Sequence, residues 1–191
     1  MIGEEAHAGT APRRARKDAL SAAVAVVAAL ENLTRDKEDV LRFTVGRFEV
    51  HPGSPNTVPG RVHFTIDMRH PDDAVLRATG DKVASVATAA APLCEVKVTE
   101  ISYVKPTVFL PKVVDLVKKS SERLGYANLA MPSGAGHDAM HLSKICPTGM
   151  IFVPCLRGLS HNEAESATPE QLSTGARVLA GTLARLSHEP L

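Results

Sequence analysis

Residues 61–69 carry the most regular pattern in the chain, and this pattern constrains the fold more than any other. Apolar and polar side chains alternate strictly along it. The apolar set is Val62, Phe64, Ile66 and Met68, and the polar set is Arg61, His63, Thr65, Asp67 and Arg69. A period of two predicts a β-strand with one buried face, which is typical of an antiparallel sheet. The register places Arg69 on the face opposite Phe64 and Ile66.

The flanking segments extend this strand into an α+β unit. Residues 41–50 also alternate, but their parity changes at Gly46, which predicts a strand with a bulge there. Thr10 is the candidate cap of a first helix that begins at Pro12. The predicted elements are a strand at 4–7, a helix at 12–33, strands at 41–50 and 61–69, a helix at 71–91 and a strand from 94 toward 103. This β-α-β-β-α-β order predicts a ferredoxin-like sandwich with an antiparallel sheet.

The sequence Lys105-Pro106-Thr107 breaks this pattern and predicts a domain boundary, with domains at 1–105 and 106–191. The elements predicted beyond it are a helix at 111–124, an extended piece at 128–131, a helix at 136–143, a buried strand at 150–153 and a helix from Pro169 to about Leu186, capped by Thr168. Such alternation is typical of an α/β domain. Two strands are too few for its sheet, so an incomplete α/β segment is predicted.

Composition excludes several function classes. Hydrophobic residues make up 44% of the chain and charged residues 23%, as in ordinary globular proteins. A net charge of +1 and a single basic cluster, at residues 13–17, argue against nucleic-acid binding. Three cysteines without CxxC spacing argue against a disulfide framework. No apolar run approaches the roughly 18 residues of a membrane span. We expect no nucleic-acid or membrane partner and a cytoplasmic location.

Candidate site residues are scattered, and each has a plain structural alternative. His161 follows the predicted strand at 150–153 and could be a metal ligand, an acid/base or a residue without a role, because nothing nearby completes a metal site. The glycine-rich turn 133–136 precedes His137 and Asp138, and Asp138 could simply complement a helix dipole. Both segments are expected to face one cleft.

The candidate site residues in the first half of the chain also have structural alternatives. Asp67 and Arg69 share one strand face and could pair only with each other. Asn56 lies among prolines and glycines, where asparagine usually forms turns. No pattern assigns a role to His7. The residues alone therefore predict two domains and one cleft.

Five motifs in this order carry a family resemblance. They are His7-Ala8-Gly9-Thr10 with Pro12, Arg16 and Asp18-Ala19-Leu20; Pro55-Asn56 with Pro59-Gly60; Asp67-Met68-Arg69-His70-Pro71; Ser133-Gly134-Ala135-Gly136-His137-Asp138-Ala139; and Ser160-His161-Asn162 with Glu165. Together they resemble the zinc-dependent amidohydrolases of the M20 metallopeptidase group, which include N-carbamoyl-L-amino acid hydrolases, allantoate amidohydrolases and β-ureidopropionases. Arg13 and Glu163 depart from the family's usual Met and Pro.

The resemblance implies a domain arrangement and roles for single residues. Residues 1–105 would be a ferredoxin-like lid that also forms a homodimer, and the remainder would close an α/β catalytic domain. His161 matches a metal ligand. His7, Asn56 and Arg69 match lid residues that bind substrate, with the histidine and asparagine reaching the partner subunit's site. Gly134 and Gly136 match a turn whose backbone contacts substrate.

The resemblance also implies what this chain lacks. In the family, the other metal ligands and the general-base glutamate precede the lid, so we expect no catalytic residue here and no activity of the chain alone. The complete enzyme would use zinc or another divalent metal (Mn, Co or Ni), none of it bound stoichiometrically by this chain.

The implied reaction is hydrolysis of a carbamoyl or ureido C–N bond in a small acid, whose carboxylate Arg69 would bind bidentately. One alternative is an aminoacylase- or peptidase-like M20 member, against which Asn56 and Arg69 in their motifs argue. Another is a non-catalytic dimerising or binding remnant.

Overall fold

The computed structural model describes residues 1–188. The chain divides into two compact units, Met1–Pro106 and Thr107–Leu191. The first contains β1 (Ala6–His7), a 3₁₀ turn (Arg13–Ala15), α1 (Ala19–Thr34), β2 (Arg42–His51), β3 (Thr57–Val58), β4 (Arg61–Arg69) and α2 (Asp73–Ala90). The second contains α3 (Pro111–Arg123), α4 (Ala139–Leu142), a 3₁₀ turn (Leu156–Gly158) and α5 (Pro169–Leu186).

Strands β2 and β4 form the main antiparallel ladder. Their pairing runs from Arg42 opposite Arg69 to His51 opposite Arg61, with a register shift between Val45 and Arg47. The bulge predicted at Gly46 is therefore confirmed. The shift lies in β2, so β4 keeps its alternation without a break.

The apolar face of β4 packs against both helices of this unit. Buried side chains of α1 and α2 meet half-buried ones from β4; the set comprises Val26, Leu30, Val83, Ala87, Phe64, Ile66 and Met68. Arg69 lies exposed on the other face, as its register predicted. Val26 and Leu30 are each 1% exposed, and the removal of their apolar surface from water stabilises this unit.

Helix α1 begins later than the sequence predicted. Asp18 is its cap: its Oδ1 accepts the amides of Leu20 and Ser21, both at 3.0 Å. The prediction of a helix from Pro12 capped by Thr10 is wrong, because one carboxylate here satisfies two of the first free amides of the helix. Residues 13–15 form a separate 3₁₀ turn instead. Helix α2 begins at Asp73, two residues after the predicted start, and Asp72 caps it.

The two outer strands are shorter than predicted. β1 pairs with β3 in a separate two-stranded sheet, and Ile2 alone bridges both Arg61 and Glu95. The strand predicted from Cys94 toward Tyr103 is limited to that bridge at Glu95. Side chains hold the segment instead: Arg77 stacks over the Tyr103 ring at 3.1 Å, and the Tyr103 hydroxyl bonds Asp73. The unit is a mixed α/β fold with small antiparallel sheets.

The unit Thr107–Leu191 is built on α3 and α5. Their shared core includes Val113, Leu116, Val178 and Thr182, all buried. The predicted start of α5 is confirmed. Thr168 forms a capping box with Gln171, and Pro169 occupies the first turn.

The strand predicted at 150–153 is wrong, since residues 107–188 contain none, and the piece predicted as extended at 128–131 belongs to no helix or strand. The predicted helix at 136–143 is reduced to Ala139–Leu142. Residues 151–153 have no regular secondary structure, with Ile151 and Val153 half-buried and Phe152 51% exposed. A Cβ on Gly175 would lie 2.5 Å from Val153 Cγ1, so α5 packs closely on this segment. The segment therefore has α5 beside it, but residues 107–188 offer no strand with which it could form a ladder.

Candidate functional site

Strand pairing brings His7 and Asn56 together. His7 lies opposite Thr57 in the β1–β3 pair, and the Ala8 amide donates to the Asn56 carbonyl at 2.9 Å. Both side chains are exposed. The Asn56 Oδ1 accepts the Ser54 hydroxyl at 2.7 Å, which fits the turn-forming role that its surroundings predicted. His7 and Asn56 therefore form one polar surface.

Arg69 is held by Asp67 on the exposed face of β4. Its Nε donates to Oδ1 at 2.9 Å and its Nη2 to Oδ2 at 2.8 Å. Hydrogen bonding to Arg69 lowers the pKa of Asp67, and the same contact raises the pKa of Arg69. The pairing of Asp67 with Arg69, which their position on one strand face allowed, does form. This pair also fixes the plane of the guanidinium on a side chain that is half exposed.

One chain does not bring Arg69 to His7 and Asn56. Arg61 and Arg69 are eight residues apart, about 26 Å along an extended strand. The pairing of the first residues continues away from Arg69, from Ile2 opposite Arg61 to His7 opposite Thr57. The two groups therefore lie at opposite ends of the unit, farther apart than a small substrate can span.

A hydrogen-bonded clip closes the glycine-rich turn. The Ser133 Oγ lies 2.8 Å from His137 Nε2 and accepts the Ala135 amide at 3.2 Å. The His137 ring packs against Phe152 with centroids 5.6 Å apart. A Cβ added at Gly134 or Gly136 would meet nothing within 4 Å among the described residues. Packing inside residues 1–188 thus does not require glycine here, whereas close approach of a ligand to the backbone would.

His161 lies in an exposed loop with left-handed backbone geometry, at φ 56°. Its amide donates to Glu165 Oε2 at 3.2 Å, and the Glu165 amide donates to the Asn162 carbonyl at 2.9 Å. Non-glycine residues adopt this region uncommonly, and such residues cluster at functional sites. The loop therefore holds the His161 backbone in a defined, strained position.

The residues present do not make a metal site by themselves. Among residues 1–188 no group of three or more His, Cys, Asp or Glu side chains could hold a metal ion. A catalytic zinc normally takes three protein ligands, and His161 would supply one. The implied metal therefore does not fit this chain alone, and no chemical step can be assigned to it here.

Other surface features include two depressions, one of which is lined in part by His70, the residue after Arg69. Both depressions are lined mainly by the loop after α1, including Arg35, Asp36 and Leu41. Residues 1–188 include no helix that is both long and apolar enough to span a membrane.

Sequence reasoning gave Arg16 no role, but the structure gives it one. Its guanidinium bonds the carbonyls of Ala8 and Ala11, beside His7. The helix wrongly predicted from Pro12 concealed this contact. A stronger weight on Asp18 as the helix cap would have left residues 13–17 outside the helix and so revealed it.

Comparison with known proteins gives concordant matches. The model of peptidase family M20/M25/M40 matches residues 4–185. An N-carbamoyl-L-amino-acid amidohydrolase of Rhizobium meliloti is 37% identical over 94% of this chain and 44% of its own length. An Arabidopsis thaliana ureidoglycolate hydrolase is 36% identical over 97% of this chain and 40% of its own. The crystal structure of an amidase of the hydantoinase/carbamoylase family from Burkholderia multivorans matches with a TM-score of 0.89 and 45% identity, over 100% of this chain and 47% of that one.

These matches define the class as hydrolases, and the named relatives act on carbamoyl or ureido compounds. The chain belongs to peptidase family M20/M25/M40. It spans less than half the length of the relatives it matches.

Proposed function

We propose that this chain provides the substrate-binding lid and one metal ligand of an amidohydrolase that cleaves a carbamoyl or ureido C–N bond in a small acid. The observation that carries the proposal is the half-exposed Arg69 side chain, whose guanidinium plane Asp67 fixes. This guanidinium already binds one carboxylate bidentately, and a carboxylate is the group that N-carbamoyl amino acids and ureido acids share. The names of the relatives support the same substrate class.

The other candidates take complementary roles. The backbone at Gly134 and Gly136 lets substrate approach closely. His161 is one ligand of a divalent metal, zinc or a similar ion, whose remaining ligands come from residues outside this chain. The general base also lies outside it, so this chain alone does not hydrolyse substrate.

The separation of Arg69 from His7 and Asn56 supports a homodimer. One lid cannot place both groups on a single small substrate, so we infer that His7 and Asn56 act in the partner subunit's site. A two-fold symmetric pair would then form two equal sites, each with an Arg69 from one lid and a His7 from the other.

The bridges of Ile2 support a ferredoxin-like lid. They place Ile2 between Arg61 and Glu95. With β2 beside β4, the order across the sheet is β2, β4, Ile2, Glu95. The N-terminal segment that carries Ile2 is therefore central in this order. Longer pairing at Ile2 and Glu95 would complete the four-stranded sheet.

A chimera tests the proposed function. This chain replaces the matched region of the Rhizobium meliloti amidohydrolase, and hydrolysis of N-carbamoyl-L-amino acids is measured after metal loading. We expect activity in the chimera and none in this chain alone. Arg69→Lys keeps the charge but loses the fork, so KM should rise about tenfold or more.

The matched control is Arg47→Ala, which removes another exposed arginine with an acidic partner, Glu49 at 2.6 Å. It should leave KM unchanged. A folded, metal-loaded chimera that hydrolyses only N-acyl amino acids or dipeptides would replace the proposal with an aminoacylase- or peptidase-like function. A folded, metal-loaded chimera inactive on all three substrates would favour a non-catalytic remnant.

A further inference from the structure

The residues after β1 form a tight turn around the His7 side chain. The Ala11 amide donates to the His7 carbonyl at 3.1 Å, and the Gly9 amide donates to the His7 Nδ1 at 3.0 Å. A Cβ on Gly9 would lie 3.3 Å from His7 Cε1, so the ring packs directly on the Gly9 backbone. The imidazole is thereby tied to the turn that carries it.

Arg16 closes the same turn from the other side. Its Nη2 donates to the Ala8 carbonyl at 2.6 Å and its Nε to the Ala11 carbonyl at 3.0 Å. Hydrogen bonds from a charged donor are stronger than neutral ones. Arg16 is half-buried, whereas Arg13 and Arg14 are exposed. Among these three neighbouring arginines, only Arg16 is shielded by the fold.

The local chain path makes this contact possible. α1 begins at Ala19, and the 3₁₀ turn Arg13–Ala15 lies before it, with Arg16 itself in an extended conformation. In a helix running from Pro12, Arg16 would be carried along the helix axis, away from Ala8. The late helix start therefore returns Arg16 to the His7 turn.

The Ala8 residue links this turn to Asn56. Its carbonyl accepts from Arg16, and its amide donates to the Asn56 carbonyl at 2.9 Å. Both polar backbone groups of Ala8 are thus occupied by parts of one hydrogen-bonded assembly. A shift of Arg16 would be transmitted to the position of His7 relative to Asn56.

The acceptor role of Nδ1 fixes the tautomer of His7. A neutral imidazole has one N–H, and a nitrogen that accepts a hydrogen bond does not carry it. The proton of neutral His7 is therefore on Nε2. We infer that Gly9 and Arg16 together present His7 as an Nε2–H donor to an oxygen atom of the substrate, with Arg16 as a positioning residue. This inference rests on the proposed function for the substrate and on geometry for the tautomer.

¹⁵N NMR of the chain with ¹⁵N-labelled histidine tests the tautomer of His7 independently of catalysis. The His7 signals are assigned by their loss in His7→Gln. We expect the Nε2–H tautomer in the wild type, a mixture of tautomers in Arg16→Ala and no change in the control Arg14→Ala. A mixture in the wild type, or an unchanged tautomer in a folded Arg16→Ala, would overturn the inference.

A double-mutant cycle in the chimera tests the functional part. Arg16→Ala should lower kcat/KM about tenfold, the size expected for a lost charge-assisted hydrogen bond. Arg16→Lys should restore part of this loss, because a lysine can reach one carbonyl. In the His7→Ala background Arg16→Ala should have no further effect.

The two failures are distinguishable. Equal losses in both backgrounds would show that Arg16 acts independently of His7 and would refute the positioning role. If His7→Ala alone leaves kcat/KM unchanged, the proposed function of His7 fails, while the NMR result still decides the tautomer.

Discussion

Two variants at opposite ends of the lid should complement each other in a mixed dimer. Arg69 and the His7–Asn56 surface are separated by more than the about 26 Å between Arg61 and Arg69 on β4. If each site takes Arg69 from one lid and His7 from the other, His7→Ala and Arg69→Ala each disable both sites of their own homodimer. A heterodimer of the two variants keeps one intact site.

The expected yield follows from symmetry. Random exchange in an equimolar mixture makes about half of the dimers mixed, and each mixed dimer has one complete site, so about a quarter of all sites should be active. The assay is hydrolysis of an N-carbamoyl-L-amino acid by chimeric proteins that are mixed, dissociated and reassembled. Each variant measured alone gives the background rate.

A same-end pair is the control. His7→Ala mixed with Asn56→Ala should recover nothing, because neither lid of the mixed dimer carries both residues. Recovery by this control pair would refute the shared-end geometry. Failure of His7→Ala and Arg69→Ala to recover activity, with mixed dimers demonstrated by mass spectrometry, would refute the cross-subunit arrangement.

Two further outcomes concern stability. A Cβ on Gly3 would lie 1.9 Å from the Lys17 carbonyl oxygen, so Gly3→Ala should lower the free energy of unfolding by about 1–3 kcal/mol. A Cβ on Gly80, in the interior of α2, would meet nothing within 4 Å among the described residues, so Gly80→Ala should raise that free energy by about 0.5–1 kcal/mol. Urea unfolding measures both changes, and equal effects would contradict the packing at Gly3. Arg69 lowers the pKa of Asp67 below its ordinary 3.8, so their pair stabilises above that pH and is lost as pH falls through the folded-state value. Asp67→Asn should therefore cost at most about 1 kcal/mol at about pH 6 and less at about pH 3, since the pair is exposed, and a cost that grows in acid would contradict this sign.

Local patterns predicted the elements whose causes are local. The alternation of residues 61–69 and the glycine at Gly46 predicted β4 and the bulge opposite it. The Thr168-Pro169 start predicted α5, because a cap and a proline act within one turn. The sequence signal for each lies within the element itself, although β4 still needs β2 as a pairing partner and packs against α1 and α2.

The sequence predictions were wrong where the structure of a segment depends on residues far from it in the chain. An apolar run at 150–153 predicted a buried strand, but strands need partners, and residues 107–188 offer none. Thr10 was a plausible cap until Asp18 competed with it for the start of α1. The distance between Arg69 and His7 depends on pairing between segments far apart in sequence, and no single motif encodes it.

The glycine-rich turn owes its shape to one serine. Ser133 Oγ bonds both the Ala135 amide and His137 Nε2, so a single hydroxyl joins the two ends of residues 133–137. Ser133→Ala removes both contacts, and the glycines, which lack a Cβ, can then adopt a wider range of backbone angles. We expect the backbone ¹⁵N order parameters of Gly134 and Gly136 to fall from about 0.85 toward about 0.6.

The nearby Ser143→Ala provides the comparison. Its hydroxyl donates to the Met140 carbonyl at 2.9 Å, within the short helix that follows, so its loss should leave the turn unchanged. In the chimera, Ser133→Ala should then lower kcat/KM while Ser143→Ala does not, because a disordered turn must be ordered again when substrate binds. If the wild-type turn is already as mobile as that of Ser133→Ala, the hydroxyl does not hold it, and the backbone at Gly134 and Gly136 is ordered by substrate alone.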